Sequence, residues 1–179
     1  MISVTIPGPP QPQGRGRAFR VGAGIRVYDP PASRAWKGAA QWHMLQACRV
    51  AFEGPLVVSL LAVFPCPSSD QLKRGIRHRR WHTKANGDLD NLTKAVLDAG
   101  NGILWRDDRQ VAVLHAAKII GAQDEPPGVQ VTVSALPDEE PASSWTSADH
   151  RDRMREAWRE SIEKACDVME AIQLTREAR

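Results

Sequence analysis

The chain has 179 residues, of which 42% are hydrophobic and 25% are charged, an ordinary composition for a soluble globular protein. No apolar run approaches the roughly 20 residues that cross a bilayer, and the first residues lack the basic region and cleavage site of a signal peptide. We therefore expect a cytoplasmic protein with one main domain and an appendage. The three cysteines are far apart and include no Cys-x-x-Cys pair, which predicts reduced thiols rather than a zinc site or a disulfide framework.

The net charge of +3 is unevenly distributed along the chain. Residues 1–136 carry 17 Lys/Arg and 10 Asp/Glu, a net charge of +7, whereas residues 137–179 carry 7 and 11, a net charge of −4. Five of the ten acids in the first part lie between residues 88 and 108, so the rest of that part is strongly basic. A basic surface around an acidic pocket suits a polyanion such as DNA, although the charge balance alone also fits a solvated surface.

The first predicted elements are a strand and a hairpin joined by a basic segment. Residues 2–6 alternate between apolar and polar side chains, as a half-buried strand does, and a proline-rich segment ends it. Arg15 and Arg17 follow on a glycine-rich loop, before a hairpin around residues 22–24. Arginines on such a loop can approach phosphates closely, and simple solvation explains them equally well.

A helix and a buried strand come next. The helix is predicted over residues 33–50, with Trp36 and Trp42 in packing roles. Residues 56–64 form the strongest strand pattern of the chain and are apolar on both faces. This pattern predicts a central strand in a sheet that is covered on both sides.

Residues 65–87 break the pattern with a loop that is rich in basic side chains. An indole, Trp81, lies among these cations, and a protein uses this combination to follow a sugar-phosphate backbone and stack on an exposed base. A charge run is usually only a solvated loop, but its position directly before the aspartates favours DNA binding. The six basic residues are Lys73, Arg74, Arg77, Arg79, Arg80 and Lys84.

The most informative stretch runs from residue 88 to residue 108, where five aspartates accompany only two basic side chains. Carboxylates crowded this closely repel one another unless they share a cation or hold protons. If the chain is extended up to Asp90, the side chains of Asp88 and Asp90 point to the same face. From Asp90 the period becomes helical. The apolar stripe of this helix comprises Leu92, Ala95, Val96 and Ala99, and the polar stripe comprises Asp90, Lys94 and Asp98.

Asp90 is expected at or near the N-cap of this helix, where a carboxylate is favoured, and Asn101-Gly102 is expected to end it. The following turn delivers Asp107 and Asp108 to the next strand. Aspartate at a helix start is commonly only a cap, and an Asp-Asp pair in a turn is commonly only solvated. Together with Lys94 on the same helical face, however, these residues favour a hard-cation site with oxygen ligands, the type that Mg²⁺ or Mn²⁺ prefers.

Two more strands are predicted over residues 110–120 and 129–136, followed by an acidic linker over 137–146. Residues 147–179 predict a long amphipathic helix, because apolar residues recur at a near-heptad spacing. A single amphipathic helix cannot bury its own stripe, so we expect it either to pair with its symmetry mate in a homodimer or to dock on its own domain. The stripe comprises Met154, Trp158, Ile162, Ala165, Met169 and Ile172.

The order of predicted elements is strand, hairpin, helix, strand, basic loop, helix, strand, strand. This order indicates an α+β fold in which helices pack on a small mixed sheet. We expect that fold over residues 1–136, with the C-terminal helix as an extension.

The central stretch resembles the signature of the RusA family of Holliday-junction resolvases, which are small and often prophage-encoded endonucleases. It reads Asp-Leu-Asp-Asn-Leu-x-Lys, Asp four residues later, Asn-Gly, and then Trp-x-Asp-Asp-x-Gln-Val. The resemblance covers roughly residues 1–135 and includes, more weakly, the proline-rich segment and residues 13–17. One departure is Gly87, where the family usually has proline.

The resemblance implies that Asp88, Asp90, Asp108 and Lys94 carry catalysis in a RusA-like fold. The three aspartates are expected to bind Mg²⁺, for which Mn²⁺ should substitute, with Asp107 as second choice. Lys94 would stabilise charge in the transition state or hold the attacking water, or it would only form an ion pair within the helix. Such an enzyme resolves four-way DNA junctions in recombination and repair by paired hydrolysis, and symmetric incision implies a homodimer.

Two other functions remain open at this point. The chain could be a module that binds branched DNA without cutting it, in which the acids bind a structural cation or none. It could also be a metal-dependent nucleotide phosphohydrolase, but a small nucleotide does not require six nearby cations.

Overall fold

The computed structural model describes residues 1–14, 16–22, 24–28, 30–83 and 87–136. The helices and strands, in chain order, are β1 (Ile2–Pro7), β2 (Arg17–Val21), β3 (Gly24–Tyr28), α1 (Pro31–Ala47), β4 (Leu56–Phe64), β5 (Arg80–Trp81), α2 (Leu89–Gly100), β6 (Val111–Ile120) and β7 (Gly128–Ala135). Two short 3-10 turns, Ser68–Asp70 and Asp108–Gln110, precede β5 and β6 respectively.

Five strands form one mixed sheet in the order β1-β7-β4-β6-β5, and β2 and β3 pair as a separate hairpin. β4 occupies the middle of the sheet, parallel to β6 and antiparallel to β7. Its apolar residues on both faces account for this position, and Leu56, Val58 and Ala62 are fully buried. The prediction of an α+β fold with helices on a small mixed sheet is confirmed.

α2 buries its apolar stripe, as the helical period predicts. Its residues Leu92, Val96 and Ala99 belong to the main core cluster. The helix contacts both α1 and β6, while Asp90 and Lys94 remain exposed. The packing therefore leaves Asp90 and Lys94 at the surface, while Asp98 is half-buried.

α1 buries Ala40 and Met44 and ends three residues before the predicted end. Trp36 packs against the core, as expected. The packing role predicted for Trp42 is wrong, because this side chain is 58% exposed. Trp42 lies two residues from both buried positions, so it falls on the opposite side of the helix.

β5 is an element that the sequence pattern does not predict. Its two residues lie within the basic loop and pair antiparallel with Ile119 and Ile120 at the end of β6. Two residues are too few to show an alternating pattern. Their position depends on a strand that follows much later in the chain.

The predicted linker over 137–146 and the predicted helix over 147–179 lie outside the described residues. Within the described part of the chain, neither helix combines the length and apolar character that crossing a membrane requires.

Candidate active site

The acidic stretch begins at the N-terminus of α2. Asp88 is the N-cap residue, and Leu89 is the first helical residue. The chain is therefore not extended up to Asp90, and the condition under which Asp88 and Asp90 would share a strand face is not met. Asp90 lies in the first turn of the helix, near the N-cap as expected, where the helix dipole favours a carboxylate. The side chain of Asp88 makes no capping hydrogen bond, so its carboxylate is not used to satisfy the first N–H groups of the helix.

Gly87 determines how the chain enters α2. Its φ is +86°, a conformation that glycine adopts easily and that proline, with φ fixed near −65°, cannot adopt. A Cβ atom at this position would lie only 2.8 Å from Cζ of Phe64. The departure from the usual proline therefore accompanies a tight turn against Phe64, directly before Asp88.

The polar stripe of α2 is held by ion pairs. Lys94 Nζ lies 3.3 Å from Asp98 Oδ1, and Lys37 Nζ on α1 lies 3.4 Å from Asp98 Oδ2. The predicted pair within the helix thus forms with Asp98. The Lys94 side chain is 62% exposed, so this pair contributes little to stability and leaves the ammonium accessible to a ligand.

Trp105 fixes the turn that follows α2. Its indole is fully buried, and Nε1 donates a hydrogen bond to Oδ1 of Asn101 at 2.9 Å. The ring lies so close to Gly100 that a Cβ there would be 2.3 Å from Trp105 Cζ2. Gly102 has φ +74°, as expected for the residue that turns the chain back. The sequence pattern predicts that Trp105 belongs to the turn after α2, but it does not indicate the buried indole or its hydrogen bond to Asn101.

Gln110 holds the same turn from its other end. Its Nε2 donates to the carbonyl oxygens of Phe52 at 3.1 Å and Gly54 at 3.0 Å. Its Oε1 accepts hydrogen bonds from the backbone N–H groups of Arg106 and Asp107, at 2.7 and 3.2 Å. This side chain therefore ties the turn to the segment before β4, a role that sequence reasoning also missed.

The two adjacent aspartates have different surroundings. Asp107 caps the 3-10 turn and accepts hydrogen bonds from Arg109, at 3.0 Å from its backbone N and 2.8 Å from Nε. The hydrogen bonds from the Arg109 side chain and backbone lower the pKa of Asp107 to about 2. Asp107 is thus engaged with Arg109, whereas Asp108 lies at the groove described next.

An open groove with a volume of about 520 Å³ lies between α2 and β6. Asp90 and Lys94 reach it from α2, and Asp108 reaches it from the turn before β6. Three of the four predicted catalytic residues therefore meet at one place. Asp88 is not among the lining residues, although it directly precedes the helix that carries Asp90. The other lining residues are Leu89, Thr93, Leu97, Leu114 and Ala116.

The carboxylates of Asp90 and Asp108 have the oxygen-donor chemistry that a hard divalent cation prefers. Among the described residues, however, no group of three or more Asp, Glu, His or Cys side chains is arranged to hold a metal ion. The predicted three-carboxylate arrangement with Asp88 is thus not assembled in this structure. The two groove carboxylates fit a cation by chemistry and by their shared location.

Two arginines of the basic loop are used within the fold. Arg79 binds Glu125 through two hydrogen bonds, and Arg80 binds Asp70. Burial by itself would raise the pKa of Glu125, but the hydrogen bonds from Arg79 and the N–H of Ala122 lower it below its ordinary value. Arg79 and Arg80, predicted as DNA contacts, therefore hold the path of the loop.

The remaining described cations of this loop face solvent. Lys73, Arg74 and Arg77 are exposed, and Arg77 Nε also donates to the carbonyl oxygen of Asp70 at 3.1 Å. Trp81 is 56% exposed. The loop thus exposes both positive charge and an indole, a combination that nucleic-acid-binding proteins use.

The N-terminal basic segment starts beside the candidate site. The backbone N–H of Gln13 donates to the carbonyl oxygen of Asn91 in α2 at 2.9 Å. Arg17 is the first residue of β2, and Arg15 and Lys84 lie outside the described residues. The predicted DNA contacts of these arginines and of Lys84 stay predictions.

Comparison with known proteins identifies the family. The family model of the endodeoxyribonuclease RusA matches residues 7–134, which include α2, the turn after it and β6. The uncharacterized protein YqaN of Bacillus subtilis (strain 168) is 28% identical over 140 residues, or 74% of this chain and 94% of that protein. The chain therefore belongs to the RusA family of endodeoxyribonucleases, as the signature around Asp88 and Asp90 indicated.

Proposed function

We propose that this protein is a divalent-metal-dependent endonuclease that resolves four-way DNA junctions by hydrolysing a pair of phosphodiester bonds. The observation that carries the proposal is the convergence of Asp90, Lys94 and Asp108 on one groove. Cleavage of a phosphodiester needs groups that stabilise charge at the scissile phosphate, and these side chains supply them. Because the groove is open, the backbone of a DNA arm could reach it.

Asp90 and Asp108, together with Asp88 at the start of α2, are the proposed ligands of Mg²⁺, for which Mn²⁺ should substitute. A cation bound there would polarise the scissile phosphodiester and lower the pKa of the attacking water. Lys94 is exposed beside Asp90 and can donate to a phosphate oxygen. The same ammonium lies 3.3 Å from Asp98 Oδ1, one turn further along the helix.

Resolution of a junction requires cuts in two strands, and each chain supplies Asp90, Lys94 and Asp108 only once. We therefore propose a homodimer, in which the predicted C-terminal helix over 147–179 pairs with its symmetry mate. Sedimentation of the full chain should give the mass of a dimer. A chain that sediments as a monomer, both alone and with a four-way junction, would contradict this part of the proposal.

The decisive experiment compares a labelled four-way junction with a linear duplex of the same sequence, in Mg²⁺ or EDTA. We expect paired, symmetric nicks near the crossover that require the metal. Asp90→Asn and Asp108→Asn should each slow cleavage about 100-fold or more, because each removes charge stabilisation from the reacting centre. Both variants should still bind the junction in EDTA.

A matched control is Asp124→Asn, because Asp124 is exposed on the loop between β6 and β7. It should cut at the wild-type rate. Wild-type cleavage by Asp90→Asn would refute the assignment of the groove. Tight junction binding without incision, in Mg²⁺ and Mn²⁺ alike, would instead support a module that binds branched DNA without cutting it.

A further inference from the structure

Lys118 lies on β6, two residues beyond Ala116 and four beyond Leu114, both of which line the groove. Because alternate residues of a strand point to the same side, Lys118 extends this line of side chains along β6. It is half-buried, and its Nζ donates a hydrogen bond to the carbonyl oxygen of Gly87 at 2.9 Å. The ammonium therefore contacts the backbone one residue before Asp88.

The backbone of Lys118 makes a second connection. Its carbonyl oxygen accepts a hydrogen bond from the N–H of His82 at 3.4 Å, directly after β5. One residue of β6 thus contacts the chain where β5 ends and again where α2 begins. Lys118 thereby links the end of the basic loop to the helix that carries Asp90.

The direction of the Asp88 carboxylate depends on this backbone. Asp88 makes no side-chain capping hydrogen bond, so the path of the chain through Gly87 directs its side chain. That path is fixed by the positive φ of Gly87, by the close approach of Phe64, and by the hydrogen bond from Lys118. Only the hydrogen bond from Lys118 comes from β6, the strand that lines the groove.

The positive charge of Lys118 lies close to the N-terminus of α2. A cation near the N-terminus of a helix opposes the helix dipole, so a neutral donor would serve better if the contact only stabilised α2. The same cation is favourable beside carboxylates, and the start of α2 carries Asp88 and Asp90. The contact of Lys118 with Gly87 therefore places a positive charge near the start of the helix that carries Asp88 and Asp90.

We infer that Lys118 is a positioning residue of the nuclease: it holds Gly87 so that Asp88 is directed toward the reacting phosphate together with Asp90. This inference rests on the proposed function. It predicts that loss of the Lys118 ammonium slows cleavage and disturbs the start of α2, while binding of the junction is retained.

The test uses Lys118→Met in the full chain, because methionine has a similar length and no donor. Single-turnover cleavage of the four-way junction should slow about ten- to a hundred-fold, the loss that a misplaced reacting group causes. The dissociation constant of the junction in EDTA should stay within about three-fold of the wild-type value. Hydrogen exchange at the N–H of Leu92, which binds the Asp88 carbonyl oxygen at 3.0 Å, should become faster.

Val131→Ala is the control for a loss of stability, because Val131 is fully buried on β7, away from the groove lining. It should lower the melting temperature without slowing single-turnover cleavage. Wild-type cleavage by Lys118→Met would overturn the inference, as would an equal slowing in both variants at equal loss of melting temperature. If the wild-type chain cuts no junction, the proposed function fails. The positioning role is tested separately: unchanged hydrogen exchange at the Leu92 N–H in Lys118→Met would refute it.

Discussion

The close contact between Gly100 and Trp105 determines whether an alanine at position 100 should stabilise or destabilise the protein. Replacing Gly100 with alanine should improve helix propensity by at most about 1 kcal/mol, because glycine is the more flexible residue in the unfolded chain. The added Cβ would lie 2.3 Å from Cζ2, 2.6 Å from Cη2 and 2.8 Å from Cε2 of Trp105. Ordinary contacts of a Cβ begin at about 3.4 Å, so the indole would have to move by about an ångström.

The indole has little freedom to move in that way. Trp105 is completely buried, and its Nε1 is hydrogen-bonded to Asn101. Overpacking a well-filled core costs about 1–3 kcal/mol, and displacing the ring also weakens that hydrogen bond, worth about 1 kcal/mol. The steric cost should exceed the gain in propensity. We therefore expect Gly100→Ala to lower the free energy of unfolding by about 1–3 kcal/mol.

Gly38→Ala is the matched control, because Gly38 lies within α1 and an added Cβ there would meet no atom within 4 Å. It should raise the free energy of unfolding by about 0.5–1 kcal/mol. Urea unfolding of the two variants should thus give changes of opposite sign. For a chain of this size the melting temperature should change by about 2–4 °C for each kcal/mol.

Stabilisation of the protein by Gly100→Ala as large as that by Gly38→Ala would rule out a steric clash at the indole. A double-mutant cycle with Trp105→Leu tests the mechanism directly, because leucine lacks the ring atoms that the new Cβ would meet. Gly100→Ala should cost less in the Trp105→Leu background than in the wild type. Equal costs in both backgrounds would place the strain somewhere other than at the indole.

Three further predictions concern the charged groups around the site. The pKa of the Asp107 carboxyl, measured by NMR, should be about 2 and should return toward 3.8 in Arg109→Gln. Because this pKa is lower in the folded state, the pair with Arg109 stabilises the fold above about pH 4. This contribution disappears as the pH falls toward 2. Arg74→Ala should reduce the slope of log K against log salt for junction binding by about 1, whereas a wild-type slope would exclude a phosphate contact. Asp98→Asn should slow cleavage several-fold at unchanged junction affinity, because it releases Lys94 from its ion pair; an unchanged rate would show that the pair is only a surface feature.

The helical part of the site could be predicted because its signal is local and periodic. Leu92, Val96 and Ala99 repeat at helical spacing, and they all lie in the core. This repeat also places Asp90 and Lys94 together on the outer side of the helix. The pattern does not fix the first residue of the helix, because Asp88 and Asp90 are both favoured near a helix N-terminus.

The parts that could not be predicted depend on contacts between distant segments. The ion pair of Arg79 could not be predicted, because its partner, Glu125, follows 46 residues later; the DNA contact of Arg79 stays a prediction. Gln110 binds the carbonyl oxygen of Phe52, 58 residues earlier. No spacing in the sequence encodes such pairs, since they arise when the sheet brings the segments together.

Gly87 illustrates a different limit. The sequence has glycine where the family usually has proline, and this replacement by itself suggests a more flexible backbone before Asp88. The structure shows a constrained residue instead, with positive φ and no space for a Cβ beside Phe64. Glycine here allows a tight conformation, and only the backbone angle and the neighbouring ring distinguish this from flexibility.

The short-range contacts around the Trp105 turn have a consequence for the order of folding. Trp105 binds Asn101 four residues away, whereas β1 must find β7 across the whole domain, with Ile2 opposite Val133. Closing a short loop costs less chain entropy than closing a long one, and local contacts form faster. We therefore expect α2 and its turn to gain protection from exchange before β1 joins the sheet. The two groove aspartates would then acquire their mutual spacing early, from a stretch of about twenty residues, before β1 closes the edge of the sheet.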